Sequence, residues 1–157
     1  MQAAFDEKAF AKVREWLLLL LKRRGQAKKA IVDSVKLCMD TFLEKCPTRE
    51  EKFNLLQTLR EACEGKMFLE KEYASCTTQL VRMYEEDGKA EEGTKIIQEI
   101  QIETYGSLDP KEKVDFILYQ MRLVLDRQDF VRCQILSRKI SKKAIGDAGL
   151  EAQKVEF

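Results

Sequence analysis

The side chains best suited to nucleophilic or metal chemistry are five cysteines: Cys38, Cys46, Cys63, Cys76 and Cys133. They are scattered, odd in number and form no CxxC pair, and the chain has no histidine. A zinc site would need four thiolates from separate helices, and no His is present to serve as general base or metal ligand. The expected role of these cysteines is that of small buried hydrophobes in a reducing compartment. Carboxylates are paired at Glu50–Glu51, Glu85–Glu86 and Glu91–Glu92. Each pair lies near an expected helix end, where charge stays solvated, whereas an acid–base pair needs burial to split its pKa values. Neither GxxxxGK[ST] nor GxGxxG occurs, so no phosphate-cradling loop is visible. No catalytic residue, metal ligand or cofactor is expected, and neither is a small-molecule substrate.

The densest single-sign patch is Lys22, Arg23, Arg24, Lys28 and Lys29, which straddles a turn at Gly25. These five are the candidate partner-binding residues, suited to an acidic protein surface or to RNA. The bland alternative is solubility together with complementation of a helix dipole. No aromatics interleave with the charges, which argues against a stacking platform for single strands. The net charge is +1 with 35% charged residues, so no global field attracts nucleic acid or acidic membranes. The apolar run Leu17–Leu21 is far short of the ~20 residues that a crossing helix needs. It also fails as a secretory signal. Asp6, Glu7 and Glu15 stand where a basic leader belongs, and no small-residue cleavage site comes after the run. A soluble protein with protein partners is the expectation.

The elements that carry these residues read as helices. Among 157 residues there are only seven glycines and two prolines, which leaves room for few turns. The clearest stretch runs from Glu103 to Ile140. Gly106 is expected to end a helix in the left-handed conformation. Asp109 is a good N-cap, Pro110 suits the first helical position, and Glu112 the third. Val114, Ile117, Leu118, Met121 and Leu125 then share one face, with Phe116 and Leu123 on another. A helix apolar on two sides needs neighbours on two sides, as in a stack of helical hairpins.

Upstream, a first helix spans about Phe5–Arg24, with Phe10, Val13, Trp16, Leu17, Leu20 and Leu21 in its stripe. A second runs to about Lys45, on Ala27, Ala30, Ile31, Val35, Cys38 and Phe42. Thr48 and Glu51 form a capping-box pattern that opens a third, with Phe53, Leu56, Leu59 and Cys63 inward and Gly65 at its end. A fourth covers Phe68–Glu86, burying Leu69, Tyr73, Cys76, Leu80, Val81 and Tyr84. Beyond a turn at Asp87–Gly88, a fifth covers Lys89–Tyr105 on Ala90, Ile96, Ile97 and Ile100. The Glu103–Ile140 stretch supplies the sixth and seventh. After Ile140, Gly146 and Gly149 make the C-terminal segment a weak helix start or a loose tail. Sliding the chain by about 40 residues aligns Val81 with Met121, Arg82 with Arg122, Gly88 with Gln128, Ile96 with Leu136 and Ile100 with Ile140, so two similar helix–turn–helix units stand one after the other.

At this point the residues resemble a known family. Glu99–Gly106 (EIQIETYG), Val114–Leu123 (VDFILYQMRL) and Asp129–Phe130 through Lys139–Ile140 are similar to a run found in the non-ATPase regulatory subunit 12 family of the proteasome. LLKRRGQAKKAI (Leu20–Ile31) and TLREACEGKMFLE (Thr58–Glu70) resemble segments which that family carries in the same order. The resemblance implies an all-α solenoid of tetratricopeptide-like hairpins leading into a C-terminal PCI domain, with no enzymatic activity. It implies a scaffold of the regulatory-particle lid that holds other lid subunits, with its N-terminal end reaching towards the core particle, in cytoplasm and nucleus. On this reading residues 1–143 are the helical-repeat domain, 144–157 a tail or the start of a further helix, and no PCI winged helix is present. The rivals are a scaffold of a related PCI complex (signalosome or translation initiation) and an RNA-binding helical repeat.

Overall fold

The computed structural model describes residues 10–22 and 27–140. The described residues form seven α-helices and no strand: α1 (Phe10–Lys22), α2 (Lys28–Leu37), α3 (Arg49–Cys63), α4 (Glu70–Glu86), α5 (Ala90–Gln98), α6 (Pro110–Asp126) and α7 (Phe130–Lys139). The chain is all-α, as its composition and periodicity imply. It divides into two compact units between Met83 and Tyr84, inside α4.

In the first unit α1 packs on α2 and α3, and α2 meets a 3-10 turn, Met67–Leu69, that leads into α4. Val13, Leu17, Val35, Phe42, Leu56 and Leu59 are at 0% exposure. The expected capping at the start of α3 is present, with the Thr48 hydroxyl accepting from the Glu51 N–H at 3.2 Å. At Gly65, φ is +70°, a left-handed conformation that ends the helix without a Cβ penalty. The second helix does not run uniformly to Lys45. After Leu37 it widens into a π-helical turn, Cys38–Phe42, closed by Leu43 N–H to the Cys38 carbonyl. The wider turn brings Cys38, Phe42 and Leu43 inward together. Ala27 and Ala30 are exposed rather than buried, because the α2 face narrows to Ile31 and Val35. Trp16 (41% exposed) lies at the edge of the α1 stripe, and Phe53 and Tyr84 are half-buried.

In the second unit α6 packs on α5, on α7 and on a 3-10 turn, Ile102–Thr104. The fifth helix is shorter than its pattern suggests and stops at Gln98. Glu99 and Ile100 donate to the carbonyls of Ile96 and Ile97, three residues back, which tightens the last turn. That tightening buries both Ile100 and Ile102, while Ala90 is exposed and Ile96 half-buried. Gly106 does not take a positive φ; the chain leaves through Tyr105 in extended conformation. The Asp109 cap is as expected. Its side chain and that of Glu112 form a full capping box, and Pro110 occupies the first turn. On α6, Val114, Phe116, Ile117, Leu118 and Leu123 are buried, but Met121 is half-exposed and Leu125 is 44% exposed.

The repeat is visible in hydrogen bonds. Gly88 (φ +72°) donates to the Glu85 carbonyl and Lys89 to that of Tyr84. Forty residues later, Gln128 (φ +59°) donates to the Leu125 carbonyl and Asp129 to that of Val124. The two pairs are the same Schellman closure, built once on glycine and once on glutamine. The segment 144–157 and residues 1–9 lie outside the described residues.

Candidate functional site

Of the five candidate partner-binding residues, Lys28 and Lys29 are described and open α2, where both are exposed. The Lys22 side chain, Arg23 and Arg24 lie outside the described residues. The Lys28 ammonium stands 5.8 Å from the centroid of the Phe68 ring, a cation–π contact that ties it to the turn before α4. Lys29 carries its charge at the positive end of a helix with no acidic residue in its first turn. Cations there are disfavoured by about 0.3–1 kcal/mol. Dipole complementation therefore does not explain these two lysines.

The cysteines differ among themselves. Cys38, Cys63 and Cys76 are buried, and Cys46 and Cys133 half-buried. Burial pushes the Cys38 and Cys63 thiols up to about 12, raises Cys76 as well, and raises Cys46 with help from the nearby Glu51 charge. Thiols held protonated are poor nucleophiles and poor metal ligands. Among the described residues no three His, Cys, Asp or Glu side chains are grouped to hold a metal ion. No described helix is long and apolar enough to cross a membrane.

The carboxylate pairs turn out to be structural, and one member of each reaches across to another helix. Glu51 takes Arg14 of α1 at 3.0 Å. Glu85 accepts from the Tyr119 hydroxyl at 2.6 Å and from Arg122 at 2.7 Å, and the Arg122 guanidinium also lies over the Tyr119 ring. Glu91 takes Arg127 at 3.1 Å. The line continues with Arg132 to Gln98 and with Lys139 to Glu103 at 2.8 Å. The sequence separations of the hydrogen-bonded pairs recur between 34 and 37. Each of the bonds from Arg122 onward therefore falls short of the 40-residue repeat and joins a residue to a point three to six residues past its own equivalent. Periodicity within single helices cannot reveal these pairs; a search for opposite charges 36 or 37 residues apart could have found those of Arg14, Arg122 and Arg127. Gln120, which sequence reasoning passed over inside the QMRL segment, is 1% exposed and donates to the carbonyls of Ile97 (2.7 Å) and Ile100 (3.2 Å). It clamps the tightened end of α5.

This arrangement has surfaces and cross-links but no assembled acid–base pair among the described carboxylates. It is suited to holding other molecules by an extended face. The family described as PSMD12/CSN4, N-terminal, matches residues 1–157. The chain is 41% identical over 143 residues to 26S proteasome non-ATPase regulatory subunit 12 homolog A of Arabidopsis thaliana, covering 91% of this chain and 32% of that relative. It is 34% identical over 145 residues to 26S proteasome non-ATPase regulatory subunit 12 of Dictyostelium discoideum, covering 92% and 32%. It is 36% identical over 147 residues to 26S proteasome regulatory subunit RPN5 of Saccharomyces cerevisiae, covering 92% and 33%. The chain thus spans about a third of the length of these curated relatives. With the family matched from end to end and the fold all-α, this chain belongs to the PSMD12/CSN4 N-terminal family.

Proposed function

We propose that this chain is the N-terminal helical repeat of a non-catalytic scaffold subunit in the lid of the proteasome regulatory particle. It supports assembly of the 26S proteasome and hence ubiquitin-dependent degradation, in cytoplasm and nucleus. The observation that carries this reading is the similarity, over nine-tenths of the chain, to relatives that are named as 26S proteasome regulatory subunits. The partners are other lid subunits and the core particle, met through exposed helix faces. Lys22, Arg23, Arg24, Lys28 and Lys29 form one docking point for an acidic partner surface. The exposure of Lys29 at the unfavourable end of α2 supports that role.

The test is purification of the tagged full-length protein. Recovery with proteasome regulatory subunits is the expected result. Recovery with a signalosome instead would favour the second reading, which the joint PSMD12/CSN4 family description keeps in view. Changing Lys28 and Lys29 to Glu, alone and with Lys22, Arg23 and Arg24, should weaken assembly without lowering the melting temperature, since carboxylates suit the start of α2 better than ammonium groups do. A lowered melting temperature would instead assign these cations to the fold. Salt-dependent retention of RNA on a filter would support the RNA-binding rival.

A further inference from the structure

Met67 is the most exposed large apolar side chain among the described residues, at 80%. It stands in the 3-10 turn Met67–Leu69, which is held at both ends. Before the turn, Gly65 takes its positive φ and the Lys66 N–H donates to the Cys63 carbonyl. Within it, the Leu69 N–H donates to the Lys66 carbonyl, and the Leu69 side chain is at 0% exposure. Lys66 is tied down as well, its ammonium donating to the Ala62 carbonyl. Met67 is thus an apolar knob on a fixed support, so little backbone ordering is left to be lost on binding.

Single exposed apolar residues are ordinary, but Met67 has neighbours. Phe68 beside it is half-buried, and α2 packs on this turn, with the Lys28 ammonium over the Phe68 ring. Lys29 follows Lys28 and is exposed. The first turn of α2 holds no acidic residue, and no ion pair among the described residues involves Lys28 or Lys29. Glu64, which ends α3, and Glu70, which opens α4, flank the turn in sequence without answering either charge. The fold therefore brings an apolar knob from one segment to cations without counter-charge from another. The complement is an anion with an apolar side. A nucleobase does not fit, because Lys28 occupies a face of Phe68 and Met67 has no π face on which to stack.

We propose that Met67, Phe68 and Lys28, with Lys29, form a docking site for an acidic segment of a partner protein that carries a bulky apolar side chain beside its carboxylates. The apolar side chain packs on Met67 and the uncovered part of Phe68, and the carboxylates meet Lys28 and Lys29. Packing on the knob excludes water from the ion pairs next to it and strengthens them. Methionine suits this place, since its unbranched thioether adapts to the shape it meets. The site rests on the scaffold reading and adds to the basic turn the apolar anchor that charge alone lacks.

Met67 is its own probe, because peroxide converts an accessible methionine to the sulfoxide. In the tagged full-length protein purified with its partners, Met67 should oxidise at least about tenfold more slowly than in the same protein purified alone. Met67→p-benzoylphenylalanine should cross-link to a segment with Asp or Glu beside a large apolar residue. Lys28→Glu with Lys29→Glu should return Met67 to the rate of the free protein. Met83 of the same unit is 6% exposed and should oxidise slowly in every sample, which separates lost docking from lost fold. Should the Glu pair expose Met83, Lys28→Gln with Lys29→Gln takes its place, with a rise in the Met67 rate in the same direction. Equal Met67 rates with and without partners would overturn the proposal, as would protection that survives the charge changes. So would a cross-link to RNA, to a second copy of this chain or to a segment without carboxylates. Recovery with a complex other than the proteasome counts against that assignment alone, since Met67 is read in whichever complex is recovered.

Discussion

The two units of this chain reach order by different means. The first is centred on apolar side chains and thiols: Leu17, Val35, Phe42, Leu56, Leu59 and Cys76 are at 0% exposure. The first also carries inter-helix polar bonds, Arg14 to Glu51 and Arg49 to the Met83 carbonyl, but the second adds a longer line of them and a buried amide that bonds two carbonyls. Gln120 clamps two carbonyls at the end of α5, and Glu85, Glu91, Gln98 and Glu103 each take a partner from α6, from the Arg127 that caps it, or from α7. An apolar centre accepts many side chains of similar volume, whereas a buried polar clamp accepts very few. The difference shows why the stretch from Glu99 to Ile140 reads as specific. Its QMRL segment contains the clamp and Arg122, and its ETYG segment begins with the Glu103 that meets Lys139.

Equal-volume exchanges should break this comparison most sharply. Leu59→Met keeps volume and polarity, and should cost less than about 1.5 kcal/mol. Gln120→Met keeps volume but removes the side-chain donor from both carbonyls; that of Ile97 still accepts from the Ile100 N–H, whereas that of Ile100 loses its side-chain donor. At about 1–3 kcal/mol for a buried group left unpaired, a cost of about 2–3 kcal/mol is expected. Urea unfolding at fixed m-value gives both numbers. If Gln120→Met proved as mild as Leu59→Met, the polar clamp would have no special standing.

A smaller effect separates the units by pH. Burial raises Cys38, Cys63 and Cys76 above their ordinary value of 9.0, the first two to about 12, and all three lie in the first unit. The folded state thus holds these protons more tightly than the unfolded chain does. Their contribution to stability is fully present below pH 9 and is lost as pH rises from 9 towards 12. The urea midpoint followed by Trp16 fluorescence, which reports on α1, should fall over that window. Cys76→Ala should make the fall shallower, at some cost in stability at neutral pH. A Trp16 midpoint with no pH dependence between 9 and 11 would refute the account.

The features legible in the sequence are local. The caps at Thr48–Glu51 and Asp109–Glu112 span three residues, and the inward faces of α4 and α6 keep a 3.6-residue period, so both can be read directly. The early stop of α5 cannot, because it is fixed from outside by Gln120, twenty or more residues away. The carboxylate pairs do stay at the surface, with Glu50, Glu86, Glu91 and Glu92 exposed, but the ion pairs of Glu51, Glu85 and Glu91 escape a local reading for the same reason. Their arginines lie 36 or 37 residues distant, where a single-helix pattern carries no information. The basic cluster is visible as charge, and of its described members Lys28 and Lys29 stand at the start of α2, the end of a helix that disfavours cations.

The smallest effect asks how far the two hairpins are copies. Both close with the same pair of backbone bonds around a left-handed residue, Gly88 in one and Gln128 in the other. Glycine takes that conformation freely, whereas a residue with a Cβ loses roughly 1–2 kcal/mol there. A Cβ at Gly88 would meet nothing within 4 Å, so Gly88→Ala isolates the backbone term from any clash. It should therefore destabilise by about 1 kcal/mol, and Gln128→Gly should stabilise by a little less, since glycine also gains freedom in the unfolded chain. The double variant should then lie near the parent. Thermal unfolding of the three variants decides it. If Gln128→Gly lowered the melting temperature, the Gln128 side chain would have to make a contribution that its glycine counterpart lacks, and the two closures would be alike in geometry only.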